Sequence, residues 1–261
     1  MGLDRDLLVG AAVAAPGLTL VGVGPGDPEL LTVAAVRAIN AATVVAYPVA
    51  EPGAEGMAAR IAAPWIAPDQ RHLPLLFPMV EEAEPRRRAW HAAAAALAAE
   101  VSAGAAVVLL CEGDASLYAS CSYVLLALAE RHPACAVRVV PGIPAVAAAA
   151  AAASGEGMAW PLALQQEGLL IRPTPESPEE LIGLLEQAAV TRTVLALLKL
   201  GRRWRWVQPL LAERGLLTAA LFARRVGWGD QLLAAADQVP AEAQPYFSLL
   251  LIRQSWPEVL P

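Results

Sequence analysis

The chain alternates between short, almost continuous apolar runs and longer stretches with helical or alanine-rich patterns. In its first half, the apolar runs predict four strands, at 18–23, 43–47, 106–111 and 136–140. In its second half, they predict four more, at 168–172, 193–198, 220–226 and 246–252. Because buried strands linked by helices usually form parallel sheets covered on both faces, the pattern predicts an α/β protein.

A break in this pattern divides the chain into two halves. The segment "SGEGMAWP" (154–161) combines glycines with a proline and separates the two series of strands. We therefore expect two α/β domains with mostly parallel or mixed sheets, at 17–153 and 160–255. The alanine-rich stretches 86–103 and 145–155 are predicted helices, the latter closely packed.

The turn after the first predicted strand, "GVGPGD", resembles a nucleotide-binding loop but lacks its defining residues. The dinucleotide fingerprint requires a third glycine where this chain has Asp27, and no lysine is near to complete a Walker-type loop. Asp27 is suited to the N-cap of the following helix and Pro28 to its first position. An acidic residue at a helix start opposes phosphate binding there. The turn therefore either only reverses the chain or binds a ligand that has no phosphate.

Composition excludes several functional classes. The net charge of −6 argues against nucleic acid as the main partner, and no apolar run is long enough to predict a membrane span. The acidic start, residues 1–17, is unlike a secretory signal. The three histidines and three cysteines have no metal-ligand spacing, which predicts no metal site and free thiols in a cytoplasmic protein; the cysteines are Cys111, Cys121 and Cys135.

Four turns are expected to lie at the carboxyl ends of strands, where α/β sheets bind ligands. They are "GVGPGD" (22–27), "CEGDASLY" (111–118), "PGIP" (141–144) and "KLGRRW" (199–204). In the second of them, Gly113 lets the backbone approach a ligand closely, while Asp114 offers an acceptor and Tyr118 an aromatic ring.

These turns, in this order, resemble the tetrapyrrole methylase family of S-adenosylmethionine-dependent methyltransferases, which have two α/β domains with the cofactor in the cleft between them. "VGVGPGDPELLT" and "EGDASLY" are similar to its signature sequences. Within the family, four stretches resemble the branch that methylates the C-20 meso carbon of precorrin-2, or of its cobalt-containing counterpart, in cobalamin biosynthesis: "LPLLFPM", "LCEGDASLYAS", "LKLGRR" and "PYFSLLLI". The resemblance spans residues 18–253.

The resemblance implies the ligands and the residues that bind them. S-adenosylmethionine would contact Pro25, Gly113, Asp114, Leu117, Tyr118, Pro144, Ala145, Leu200 and Val226. The substrate would be a reduced tetrapyrrole with eight carboxylates, and its positively charged contacts would be Lys199, Arg202 and Arg203. No catalytic residue is assigned; Glu112 is a conceivable proton acceptor. A homodimer is implied by the resemblance alone.

Two departures from the family pattern keep alternatives open. Ala115 stands where the central loop usually has proline, and Pro144 stands where a hydroxyl residue usually lies. The chain could be another family member, such as the enzyme that methylates uroporphyrinogen III, or a non-catalytic tetrapyrrole-binding protein with the same fold. Restoring the hydroxyl at position 144 is expected to tighten cofactor binding several-fold at most.

Overall fold

The structure is a computed structural model and describes residues 15–257. Residues 1–14 of the acidic start lie outside the described residues, so the structure does not test the prediction made for them. The chain divides between Pro144 and Ala145 into two compact units, called here unit 1 (up to Pro144) and unit 2 (from Ala145). The expected domain bounds, 17–153 and 160–255, stay a prediction.

Unit 1 is built around a parallel five-stranded sheet with the strand order β3-β2-β4-β1-β5. Its strands are β1 Gly17–Gly22, β2 Val44–Val49, β3 Arg71–Leu76, β4 Ala106–Cys111 and β5 Val137–Val140. Its helices are α1 Val33–Ala41, α2 Met57–Ala62, α3 Ala83–Ser102 and α4 Cys121–Arg131.

The described residues include no helix with both the length and the apolar content to cross a bilayer.

The central strands of this sheet are buried on both faces, as their continuous apolar sequences predict. On one face, Leu20 and Leu109 pack with Leu97 of α3 and Val124 of α4. On the other face, Val21, Val45 and Val108 are also buried, and α1 and α2 pack against these strands. A rigid, covered sheet of this kind fixes the positions of the turns at its ends.

Unit 2 is built around a mixed five-stranded sheet with the order β6-β7-β10-β8-β9. Its strands are β6 Gly168–Pro173, β7 Thr193–Leu198, β8 Ala220–Arg224, β9 Leu232–Ala235 and β10 Ser248–Ile252. Its helices are α5 Ala145–Ala152, α6 Pro178–Thr191 and α7 Trp204–Glu213. Only β6 and β7 are parallel; β10 runs antiparallel to both of its neighbours. The predicted α/β class with parallel and mixed sheets is confirmed.

The structure differs from the sequence-based predictions in two strands and in one helix start. The strands β3 and β9 were not predicted. The helix after the first turn begins at Val33, with the Thr32 hydroxyl accepting from the Ala35 N–H at 3.1 Å, rather than at Asp27. Asp27 instead caps a single 3₁₀ turn by accepting from the Glu29 N–H at 2.8 Å. Asp27 and Thr32 both have side-chain oxygens suited to capping, and it is Thr32 that caps α1.

Candidate functional site

The carboxyl ends of β1 and β4 lie side by side in unit 1, because Gly22 pairs with Cys111. After β1 the chain passes beyond β4 to form β2, whereas after β4 it passes beyond β1 to form β5. Connections that leave neighbouring strands in opposite directions open a crevice at the carboxyl ends, where open α/β sheets bind ligands. Two of the four predicted turns therefore begin at the position that topology favours for a site.

Three of the predicted turns meet there through their backbones. Gly24 and Gly113 exchange two hydrogen bonds, with N···O distances of 3.2 and 2.7 Å. The backbone of Gly142, in the third turn, packs against both Gly22 and Gly113. We call these four residues, Gly22, Gly24, Gly113 and Gly142, the glycine junction.

Side chains are excluded from the centre of the glycine junction but not from its rim. A Cβ atom on Gly142 would lie 2.1 Å from the Gly113 oxygen, and one on Gly22 would lie 2.6 Å from the Gly142 nitrogen. Gly113 differs, because a Cβ built there would meet no atom within 4 Å, although its φ of +68° favours glycine. Gly113 therefore leaves open space beside the loop, into which a ligand could come against the backbone.

The carboxylate of Asp114 ties the central loop to the third turn. Its Oδ2 accepts from the Gly142 N–H at 2.9 Å, and its Oδ1 accepts from both the backbone N–H and the hydroxyl of Ser116. Burial acts to raise the pKa of Asp114, but the hydrogen bonds from Ser116 and Gly142 hold it below the ordinary value. In this geometry the acceptor predicted to face a ligand is engaged within the unit.

Replacing Asp114 with asparagine should lower the free energy of unfolding by about 1–3 kcal/mol, because the Gly142 N–H or the Ser116 N–H loses its acceptor. The folded-state pKa is lowered, so the carboxylate's contribution is present above its unfolded pKa and lost as pH falls through the folded one. Urea unfolding at neutral and acidic pH measures this, with the exposed Asp69→Asn as control. Equal stabilities of wild type and Asp114→Asn at neutral pH would contradict it.

Glu112 lies next to the junction at the end of β4. Burial raises the pKa of its carboxyl group, and a hydrogen bond from the backbone of Ala58, near the start of α2, opposes this effect. Its conceivable role as a proton acceptor stays a prediction.

The other residues predicted in unit 1 follow the same turns. Pro25 is half-buried directly after the junction residue Gly24, and Leu117 is half-buried in the central loop. Tyr118 is 47% exposed and has a left-handed backbone with φ of +52°. Pro144 ends the third turn, and Ala145 begins α5.

A second group of predicted residues lies at one edge of the sheet in unit 2, where β7 and β8 end and β10 begins. The residues directly after the two ending strands, Lys199 and Arg225, both have left-handed backbones, with φ of +59° and +47°. The Arg225 N–H donates to the Phe247 carbonyl at 2.8 Å. Left-handed non-glycine residues cost energy and often occur at functional sites, which supports a role for this edge.

The positively charged side chains at this edge differ in how freely they could bind an incoming anion. The Arg203 guanidinium makes a two-pronged contact with Glu176, and its Nη1 donates to the Lys199 carbonyl at 3.1 Å. The hydrogen bond from Arg203 lowers the pKa of Glu176 and outweighs the opposing effect of burial. Arg202 is exposed, and the Lys199 ammonium lies 5.6 Å from the centre of the Tyr246 ring. Arg202 and Lys199 are therefore better placed than Arg203 to receive an incoming carboxylate.

The last two predicted cofactor contacts have buried side chains. Leu200 is fully buried in the core of unit 2, packed with residues such as Trp204, and Val226 is 5% exposed. Any ligand contact of Leu200 would therefore use its backbone.

Two residues that shape these parts of the structure, Gly142 and Glu176, were not among the predicted site residues. Gly142 belongs to the quoted "PGIP" turn, and a glycine at a predicted strand end is a recognisable sign of close backbone approach. Glu176 had no such sign, because it lies 27 residues from Arg203 in the sequence.

The chain is similar to one protein family in its sequence and to solved structures in its fold. A family model described as "Tetrapyrrole (Corrin/Porphyrin) Methylases" matches residues 17–237. A precorrin-2 C(20)-methyltransferase from Sinorhizobium sp. is 34% identical over 242 residues, covering 89% of this chain and 93% of that protein. A cobalt-precorrin-2 C(20)-methyltransferase from Salmonella typhimurium is 29% identical, with coverages of 92% and 97%. Among solved structures, a Thermus thermophilus uroporphyrin-III C-methyltransferase complexed with S-adenyl homocysteine aligns with a TM-score of 0.57 and 22% identity, covering 91% of this chain and 97% of that one.

Proposed function

The chain belongs to the tetrapyrrole methylase family, and we propose that it transfers the methyl group of S-adenosylmethionine to C-20 of precorrin-2, or of its cobalt-containing counterpart, in cobalamin biosynthesis. The observation that carries this proposal is the likeness, over nearly the whole of both chains, to the Sinorhizobium C(20)-methyltransferase. The Salmonella relative is the reason to keep the cobalt-containing substrate beside the metal-free one.

In this proposal the turns of unit 1 bind the methyl donor. The open space beside Gly113 suits close approach of a ligand to the backbone. The donor carries no phosphate, in agreement with a first turn that has Asp27 and lacks lysine. Pro25, Leu117 and Tyr118 lie on the same turns and would contact the donor, whereas Asp114 would act by holding the central loop in place.

The carboxyl-end edge of unit 2 would bind acidic groups of the tetrapyrrole. Arg202 and Lys199 would receive carboxylates, and Arg203 would contribute chiefly by fixing the Lys199 backbone and Glu176. Donor contacts of Leu200, Val226, Pro144 and Ala145 stay predictions that the family resemblance implies.

The reaction asks little of protein side chains. S-adenosylmethionine would supply an activated methyl group. The electron-rich C-20 carbon would attack it in line, so that the new C–C bond forms as the bond from sulfur to the methyl carbon breaks; S-adenosylhomocysteine would leave, and C-20 would then lose its proton. Holding the two reactants in this alignment and excluding water can provide most of the acceleration. The structure of the turns is suited to positioning, because the glycine junction and Asp114 fix three loops against one another.

The direct test is incubation of the purified protein with methyl-labelled S-adenosylmethionine and either precorrin-2 or cobalt-precorrin-2. Mass spectrometry and carbon NMR should then find one added methyl group, at C-20. Methylation at a different carbon would point to another family member, and donor binding without transfer would point to a non-catalytic protein.

Arginine variants test the substrate edge. Replacing Arg202 with alanine should raise the tetrapyrrole dissociation constant about two- to fivefold at low salt, as expected for an exposed ion pair, and less at high salt. The Arg203→Ala variant should have the smaller effect, since Glu176 already neutralises that guanidinium. Fluorescence titration measures both, with Arg131→Ala at the end of α4 as control. An equal or larger effect of Arg203→Ala would contradict this ranking, and unchanged affinity in both variants would exclude this edge.

We further propose that the protein is a homodimer, as the family resemblance implies, and that it is located in the cytoplasm. The three free thiols, Cys111, Cys121 and Cys135, suit a reducing compartment. Light scattering coupled to gel filtration would determine the assembly, and a monomer at working concentrations would refute the dimer.

A further inference from the structure

A separate polar cavity lies at the other edge of the sheet in unit 2, where β7 begins and β10 ends. Its volume is about 410 Å³, within the range of small-molecule sites. Hydrogen-bond donors line it, chiefly Arg253 in its wall and Arg192 directly after α6. Because β7 runs from this edge to the one that bears Lys199, the cavity is distinct from the proposed substrate edge.

Arg253 is held in an unusual environment for a charged side chain. It is 1% exposed, and its Nε and Nη2 donate to the Glu167 carboxylate at 2.8 and 2.9 Å. Nη2 also donates to the Pro161 carbonyl at 2.9 Å. The rings of Trp160 and Trp256 lie 4.9 and 4.1 Å from the guanidinium carbon. These contacts fix the orientation of the guanidinium.

One nitrogen of this guanidinium, Nη1, makes no hydrogen bond within the described part of unit 2. Nη1 is buried and has no hydrogen-bond partner among residues 15–257. Buried polar atoms are nearly always paired, and an unpaired donor on a residue that lines a cavity indicates a missing acceptor. Glu167 already balances the charge of Arg253, so Arg192 supplies the net positive charge of the cavity.

We propose that this cavity binds a small oxyanion ligand, one that carries a carboxylate or phosphate group. A small movement of the side chains that cover Nη1 of Arg253 lets the anionic oxygen accept from it, and Arg192, which also lines the cavity, adds an electrostatic contribution. Arginine donors are well suited to both kinds of oxyanion. The site is independent of methyl transfer, and its position makes it a place for a regulator or a second small ligand rather than for the tetrapyrrole.

Titration of the full chain with sodium phosphate and with sodium acetate tests the proposal, at constant ionic strength set with chloride. Calorimetry and tryptophan fluorescence should show saturable binding, since two tryptophans contact Arg253. A response to phosphate alone assigns a phosphate ligand, and a response to acetate alone assigns a carboxylate. The Arg192→Gln variant should bind about two- to fivefold more weakly.

The variant Arg253→Lys keeps a charge for Glu167 but removes Nη1, so it should abolish the saturable response. If circular dichroism shows that this variant does not fold, the Arg192→Gln comparison decides alone. The proposal is overturned if neither anion binds the wild type at millimolar concentrations, or if the folded variants bind as the wild type does.

Discussion

Replacing Gly142 with alanine should lower the free energy of unfolding by about 3 kcal/mol and remove measurable binding of S-adenosylmethionine. The added Cβ would fall 2.1 Å from the Gly113 oxygen and 2.7 Å from the Gly22 carbonyl carbon, and both neighbours are backbone atoms that cannot rotate away. Overpacking of this kind typically costs 1–3 kcal/mol, and the absence of flexible neighbours places this site at the upper end. Binding should fail because relief of the clash moves the turns on which the donor is proposed to sit.

Chemical denaturation and calorimetric titration of the same variant measure the two effects. Gly183→Ala is the matched control, because a Cβ there meets nothing within 4 Å and the residue lies within α6. Alanine in a helix is favoured over glycine by up to about 1 kcal/mol, so the control should be slightly stabilised. A Gly142→Ala protein with wild-type stability and wild-type donor affinity would show that the junction adapts and does not position the site.

Replacing Glu167 with glutamine should cost about 3–5 kcal/mol, the largest effect we expect from a single charge in this chain. The substitution removes the carboxylate that balances Arg253, and both side chains are nearly inaccessible, at 8% and 1% exposure. An isolated buried charge is expensive in a way that an exposed one is not. The matched control is Glu55→Gln, whose partner Arg60 lies 3.6 Å away at the surface and whose loss should cost about 0–1 kcal/mol.

The same pair predicts a pH dependence. The hydrogen bond from Arg253 outweighs burial and lowers the pKa of Glu167, so the folded-state pKa lies below the unfolded one. The stabilisation is therefore complete above the unfolded pKa and is lost as pH falls through the folded pKa. The free energies of unfolding of wild type and Glu167→Gln should converge as pH falls through the folded-state pKa of Glu167. A constant difference across that range would mean that the lost stability is not electrostatic.

Continuous apolar runs were sufficient to find eight of the ten strands among the described residues. The two missed strands lie at the ends of their sheets, where burial is incomplete. β3 carries Arg71, His72 and Pro74, and five of its six residues are not fully buried, so its sequence lacks the apolar run of a central strand. β9 has only four residues and is paired through a hairpin with β8.

The site was predictable as a set of turns but not as a set of contacts. Strand ends and glycines located the loops that contain Gly113 and Lys199, because these features are local in the sequence. The partners of Asp114 and Arg203 were not predictable, since Gly142 and Glu176 are 28 and 27 residues away. Such contacts depend on how the strands are ordered, which the apolar pattern of a single sequence does not specify.

The strand orders also determine when each sheet can be completed during synthesis. In the described part of unit 1, β1 pairs with β4 and β5, both of which are made much later, so its edges stay open until the ribosome has released residue 106 and beyond. In unit 2, the last strand, β10, inserts between β7 and β8 and joins two earlier strand pairs. Each nascent sheet therefore waits for a late central strand. The glycine junction begins to form when β4 brings its turn to the turn after β1, and it is complete only when β5 has added the turn that contains Gly142.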